Sequence, residues 1–303
     1  MDRASVFSDD EVIDLLKTRV VPVAVDEWYH VRRKDPEGDF YRSVVYQREG
    51  LDPKEDRTTQ GFYLFTPGAK LLRGWNNRDP ARVKRFLRSA LSGYRPPEAG
   101  DIPETEDSRF ARSPGEGGVV ADVFTRVLEA DWPPPRDEWQ SMLRSATGRD
   151  HLWLRKDEAE ALAAGKLPGS VTRRIALYHL VDNTRGEPPM WRERDVGKAE
   201  WKLVPGKDEG TYRLEGEVHL STEKGDRGYE ASLLGRIESQ AGKLVRFDLV
   251  ARGEFRGEGR YTRGAPPGKF TLGIAFRLAE GGEASKVPPQ GARDFEGYYG
   301  RAH

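Results

Sequence analysis

Arg213-Leu214-Glu215-Gly216-Glu217-Val218-His219-Leu220 and Val245-Arg246-Phe247-Asp248-Leu249-Val250-Ala251-Arg252 decide how this chain reads. In the first stretch Leu214, Gly216, Val218 and Leu220 alternate with Arg213, Glu215, Glu217 and His219. In the second, Val245, Phe247, Leu249 and Ala251 alternate with Arg246, Asp248, Val250 and Arg252. Successive strand side chains point to opposite faces, so a period of two with one polar face specifies antiparallel strands covering a core on one side. Glu200 to Val204, Gly228 to Ile237 and Phe270 to Phe276 read as further strands of the same kind. Gly206-Lys207-Asp208-Glu209-Gly210, Lys224-Gly225-Asp226 and Gln240-Ala241-Gly242-Lys243 supply the hairpin loops. The expectation is a meander of about five strands, curled into an open barrel or half a sandwich.

Toward the N-terminus of this meander, Val119 to Leu128 and His151 to Leu154 have strand composition. Asp137 to Leu143 reads as a short helix after Pro133-Pro134-Pro135. Asp157 caps a helix running to Ala164, and Ser170 starts another with Val171, Ile175 and Tyr178 on one face. Between Tyr94 and Gly118 the chain is rich in Gly, Pro and charge without apolar periodicity. Residues 95–118 therefore read as a linker, separating 1–94 from a β-rich domain at 119–303.

In the first ninety residues Ser8-Asp9-Asp10-Glu11 has capping-box spacing, and Val12, Leu15 and Leu16 follow on one helical face. Val20-Val21-Pro22-Val23-Ala24-Val25 is a β-branched run suited to a strand buried on both faces. Phe40, Val44 and Val45 sit at helical spacing. Gly61 to Phe65, the turn Thr66-Pro67-Gly68-Ala69 and Lys70 to Leu72 form a hairpin, and Asp79-Pro80 starts a final helix. This order of helix, strand, helix, hairpin, helix resembles a thioredoxin-like domain, with Val20 to Trp28 similar to the strand before the redox motif. The resemblance covers residues 1–94. It implies a Cys-x-x-Cys a few residues beyond that strand, where Tyr29-His30-Val31-Arg32-Arg33-Lys34-Asp35 stands instead. The proline that the family places before its hairpin is replaced by Thr58-Thr59-Gln60-Gly61. The resemblance thus implies a scaffold without the redox chemistry, and the whole chain is expected to be α+β: a thioredoxin-like α/β domain followed by an antiparallel β domain with helical insertions.

Composition narrows the function. The chain has 303 residues, 50 Lys plus Arg against 50 Asp plus Glu, and no Cys. Thiolate metal sites, Fe–S clusters and disulfides are excluded. Balanced charge argues against bulk attraction to nucleic acid. No run approaches the roughly 18 apolar residues of a membrane span. The opening Met1-Asp2-Arg3-Ala4-Ser5 leads into acidic residues, so the expected location is the cytoplasm, or the outside for a form already trimmed of its signal. No nucleophile elbow, Walker loop or His-Glu-x-x-His occurs, and no residue is singled out as catalytic.

Two constellations stand out. Three of the five histidines occur as His-Leu, at His151-Leu152, His179-Leu180 and His219-Leu220. If each Leu points inward, the three imidazoles share the other face, where with Asp182 they could hold Zn, Cu or Fe; otherwise each is a lone polar residue on the solvent side of a strand. The segment Asp182 to Trp191 combines Arg185, Glu187 and Trp191 with a rigid Pro188-Pro189, which suits a ligand-binding loop; equally, Trp191 caps the barrel end while Arg185 and Glu187 pair. Arg32, Arg33 and Lys34 beside His30 form a weaker anion-site candidate. The expected function is a non-catalytic binding or interaction protein for a small-molecule or protein ligand, with a pocket at the mouth or inner face of the β domain. The alternative is a metal-dependent oxidoreductase or hydrolase using the three histidines.

Overall fold

The structure is a computed structural model that describes residues 6–52, 59–77, 79–95 and 113–299. Most of the expected linker at 95–118 lies outside the described residues. The chain divides into two compact units, residues 2–112 and 113–303.

In the first unit, helix α1 (Asp10–Arg19) is capped by Asp9, whose carboxylate accepts the Val12 amide at 3.0 Å. Helix α2 (Glu27–His30) and helix α3 (Pro36–Val45) follow, the latter with Asp35 as cap and Pro36 in its first turn. Strands β1 (Phe62–Phe65) and β2 (Leu71–Trp75) form an antiparallel hairpin, and helix α4 (Pro80–Leu91) begins after Asp79. Val6, Val12, Leu64, Trp75, Val83 and Leu87 make a small core. The run Val20–Val25 departs from its expected place as a doubly buried strand. It is unpaired, and Val21 and Val23 are 87 % and 70 % exposed. Val20 already serves as the C-cap of α1, and Pro22 lacks the N–H that a central strand must donate. Among the described residues this unit holds a two-stranded sheet only.

In the second unit a seven-stranded antiparallel sheet has the order β4-β3-β9-β8-β7-β6-β5. Its strands are β3 (Val119–Glu129), β4 (Thr147–Leu154), β5 (Val196–Pro205), β6 (Thr211–Ser221), β7 (Gly228–Gln240), β8 (Lys243–Arg256) and β9 (Lys269–Leu278). The five-strand meander is β5 to β9, and β3 with β4 extends it beyond β9. Leu214, Val218, Leu220, Phe247, Leu249 and Ala251 are buried as their alternation requires. Val245 is instead 49 % exposed, because a bulge opposite Glu238/Ser239 leaves it as the extra residue of β8.

Helix α6 (Lys156–Ala163) packs on β7 and β8. Helix α7 (Gly169–Arg174) continues into a π turn at Ile175–His179, which contacts β4. With the C-terminal helix α8 (Phe295–Tyr299), these helices supply Leu162, Val171, Ile175 and Tyr298 to the same buried cluster as the inward residues of the sheet. The inner face is therefore filled by side chains. Helix α5 (Glu138–Ser145) lies in the β3–β4 connection.

Candidate functional site

The polar groups that look most chemical lie inside this packing. Glu158 is 1 % exposed, and its carboxylate accepts from the Arg155 amide at 2.9 Å, the Ser170 hydroxyl at 2.6 Å and both terminal nitrogens of Arg174 at 2.8 and 2.9 Å. Burial pushes this carboxyl up, yet the Arg174, Ser170 and Arg155 donors together hold it below its ordinary value. Arg174, wholly buried, also donates to the carbonyls of Trp153 and Tyr298 and lies over the Tyr299 ring at 4.6 Å.

His179 sits on the π turn, a widened turn that often accompanies function. Its Nε2 is 2.8 Å from the Tyr298 hydroxyl and its Nδ1 3.3 Å from the Asp150 carboxylate. Tyr298 accepts from the Trp153 amide at 3.2 Å, and Asp150 from the Gln290 amide at 3.1 Å. The order hydroxyl, imidazole, carboxylate is that of an activated nucleophile. Burial, however, holds the Tyr298 phenol well above its ordinary range, and neither Tyr298 nor His179, both essentially sealed from solvent, lines the clefts of about 850 and 430 Å³ in this unit. A phenol that keeps its proton and meets no solvent is a fastener. It ties α8 to the sheet.

The expected three-histidine site is corrected by the same geometry. His151 points outward from β4, its Nδ1 2.9 Å from the Val287 carbonyl and its Nε2 3.5 Å from Asp122. His179 lies against the inward side of β4, beside Asp150. His219 lies on β6, with β3, β9, β8 and β7 between, and neighbours Glu217 at 3.4 Å. The His-Leu rule holds at 151 and 219, where Leu152 and Leu220 point inward, but in the π turn both His179 and Leu180 are buried. Asp182 is taken by Arg185 at 2.5 Å and by the Thr184 hydroxyl at 2.6 Å. Among the described residues no group of three or more His, Asp or Glu could hold a metal ion.

The Asp182–Trp191 loop is likewise pinned. Arg185 is buried, donating to the Thr262 carbonyl as well as to Asp182. Trp191 is buried under the Arg227 guanidinium, 4.0 Å from its ring, and donates its indole N–H to the Leu180 carbonyl at 2.7 Å. Glu187 is exposed but paired with Arg293. These three residues hold the loop to the β unit; Arg185 and Trp191 are out of a ligand's reach. In the first unit Arg33 is buried against Asp35 and Glu37, and His30 bonds Glu37 at 2.7 Å, so carboxylates already hold the middle of the Arg32–Lys34 cluster, while Arg32 and Lys34 themselves are exposed.

Open space lies elsewhere. On β3, Ala121, Val123, Thr125 and Val127 are buried, which turns Asp122, Phe124, Arg126 and Leu128 outward. Outward Arg126, Leu128, Lys269 and Thr271 line a cleft of about 850 Å³, together with Trp132 and Arg144 of the segment that carries α5. Asp137 caps α5 by accepting the Gln140 amide at 2.8 Å, and the Arg144 guanidinium stands 5.2 Å from the Trp132 ring. Glu129 is engaged by Arg252 at 3.1 Å and Lys269 by Glu254 at 2.7 Å, while Arg126 forms no ion pair among the described residues. A smaller cleft of about 430 Å³ is bordered by Asp226, Arg256, Glu258 and Lys269; there Glu258 already accepts the amides of Gly264 and Ala265. Sequence reasoning singled out neither Arg126 nor Arg144. The available signal was Phe124 and Leu128 on the polar phase of β3, beside a tryptophan set by three prolines.

No protein-family model matches the chain, and no match is found among curated proteins or solved structures.

Proposed function

We propose that this chain is a non-catalytic binding protein whose β unit takes an anionic ligand with a flat apolar part in the cleft beneath Trp132 and Arg144. The carrying observation is the cleft itself: two guanidinium groups, Arg126 and Arg144, stand beside an aromatic face and the exposed Leu128, and with Lys269 they outnumber the lining carboxylates Asp131 and Glu129, the latter already engaged by Arg252. A cation over an aromatic ring and bidentate guanidinium donors suit a carboxylate or phosphate attached to a ring system. The sealed state of the His179–Tyr298–Asp150 chain supports binding over catalysis. The first unit, in this reading, is a reduced thioredoxin-like scaffold that keeps the helix–hairpin–helix order without the central strand, since Val20–Val25 is unpaired. Its support is the helix–hairpin–helix order and Thr59, which occupies the position of the missing proline and donates to Glu27 at 3.0 Å. Titration calorimetry with naphthoate, an aromatic carboxylate, tests the site. The Arg126→Ala/Arg144→Ala variant should bind at least about tenfold more weakly than wild type. Equal affinity of the two proteins, or no binding to wild type of either naphthoate or naphthyl phosphate, overturns the assignment.

A further inference from the structure

The pairing register of the sheet places one residue from each of seven strands in a line across its outer face: Lys202, Glu215, Leu234, Val250, Ala275, Phe124 and Arg149. Four neighbours in the middle of that line are apolar. Leu234 is 60 % and Val250 49 % exposed, although they face each other across β7 and β8. The Arg149 guanidinium lies 5.0 Å from the Phe124 ring. The line is therefore apolar at its centre, acidic at Glu215 toward one end and basic at Arg149 toward the other. Beside it runs a charged line in which Asp248 pairs in register with Arg236, and Arg277 with Asp122.

We propose that this outer face is a self-association surface, on which a second copy of the chain packs about a twofold axis lying between β8 and β9 and parallel to them. Such an axis reverses the order of strands from one copy to the next. Ala275 then meets Val250 of the other copy, Phe124 meets Leu234, and Arg149 meets Glu215. In the charged line Arg277 meets Asp248 and Asp122 meets Arg236. Each of these charges finds the opposite sign, and the two apolar centres cover one another. A twofold axis along the line itself would set Arg149 against Arg149 and Glu215 against Glu215, which the charges oppose. Sheets packed face to face stand about 10 Å apart with their strands roughly aligned, the arrangement this axis produces. Six strands spaced about 4.8 Å apart make a contact roughly 25 Å wide, near the small end of stable interfaces, so association in the micromolar range is expected.

Arg277 and Asp248 lie next to the axis and are well exposed, with 59 % and 37 % of their side-chain surface accessible. Their reversal leaves the core untouched. Sedimentation equilibrium of the full chain should show a dimer. Asp248→Arg alone and Arg277→Asp alone should each dimerise at least about tenfold more weakly, because each sets like charges together twice. An equimolar mixture of the two variants should form heterodimers with affinity close to wild type. The Asp248→Arg copy carries only cations at these two positions and the Arg277→Asp copy only anions, so opposite signs meet again at both contacts. Leu234→Asp should be monomeric, with an unchanged circular dichroism spectrum. A monomeric wild type at hundreds of micromolar, single variants that still dimerise, or a mixture that does not recover association would each overturn the proposal.

Discussion

Arg174→Ala is the sharpest test of how the β unit is held. The guanidinium is fully buried and donates to the Tyr298 carbonyl at 3.1 Å, the Trp153 carbonyl at 2.9 Å and Glu158 at 2.8 and 2.9 Å. Truncation leaves the Glu158 carboxylate, 1 % exposed, without its main countercharge. Breaking a buried pair from one side costs about 3–5 kcal/mol, against a typical domain stability of about 5–15 kcal/mol. Removing both charges in Glu158→Gln/Arg174→Met should cost less than Arg174→Ala alone, as no lone ion remains. The pH dependence follows from the same group, whose ordinary pKa is 4.5. In wild type its folded value is lowered, so its contribution is complete above the unfolded value and is lost as pH falls through the folded one. In Arg174→Ala burial loses its largest opponent while Ser170 and Arg155 remain, so the folded value rises from its wild-type level. What Arg174 contributes is then full above both folded values and is lost as pH falls through them. The difference between the two proteins must therefore shrink on acidification. Urea unfolding followed by far-ultraviolet circular dichroism at several pH values measures this. A cost below about 1 kcal/mol at neutral pH, or one that does not change with pH, refutes the reasoning.

Tyr298→Phe should cost about 1–3 kcal/mol by leaving the Trp153 amide unpaired, read from the same unfolding curves. Gly253→Ala should destabilise by several times as much as Gly225→Ala. A methyl at 253 would overlap the Glu230 carbonyl, whereas at 225 only the positive φ of +66° is at issue, worth about 1 kcal/mol. Val23→Asp should leave thermal stability within about 0.5 kcal/mol, while Val12→Asp, at a fully buried position, should abolish the cooperative unfolding of the first unit. A large loss in Val23→Asp would restore the doubly buried strand that the sequence suggests.

The sheet was legible because its signal is local and repeated. Thr211 to Leu220 alternates over most of a strand, and β6 is observed at Thr211–Ser221. The helix starts at Asp79-Pro80 and Asp137 were legible for the same reason, since each acts within one turn of itself, whereas the expected caps Ser8 and Asp157 give way to their neighbours Asp9 and Arg155. The histidine constellation was not. Whether His179 shares a face with His151 depends on the π turn at Ile175–His179, and no propensity in Ile175-Ala176-Leu177-Tyr178-His179 announces an extra residue per turn. Val20–Val25 failed differently. Its composition states what a strand would be made of, but pairing needs neighbours, and those are set by the long-range placement of the hairpin. Arg185 and Trp191 had the residue types of a binding loop because the same types, bonded inward, also fasten loops.

The outer face exposes a conflict that stability alone does not resolve. Alternation should place polar residues at 124, 234 and 250, yet Phe124, Leu234 and Val250 stand there, on three of four neighbouring strands and in one line. Cross-strand contact between Leu234 and Val250 contributes about 0.2–1 kcal/mol, and threonine would keep much of it without presenting hydrocarbon to water. Folding therefore supplies little reason for the choice. Charged residues on the same face are arranged by contrast: Arg236 with Glu238, Arg246 with Asp248, Arg277 with Asp122. A surface that pairs its charges within each copy while leaving its central apolar line uncovered is built for a partner that covers the line and extends the charge network. Positions at which local rules fail without a gain in the monomer are where function is expected, and here they share a single register across the sheet.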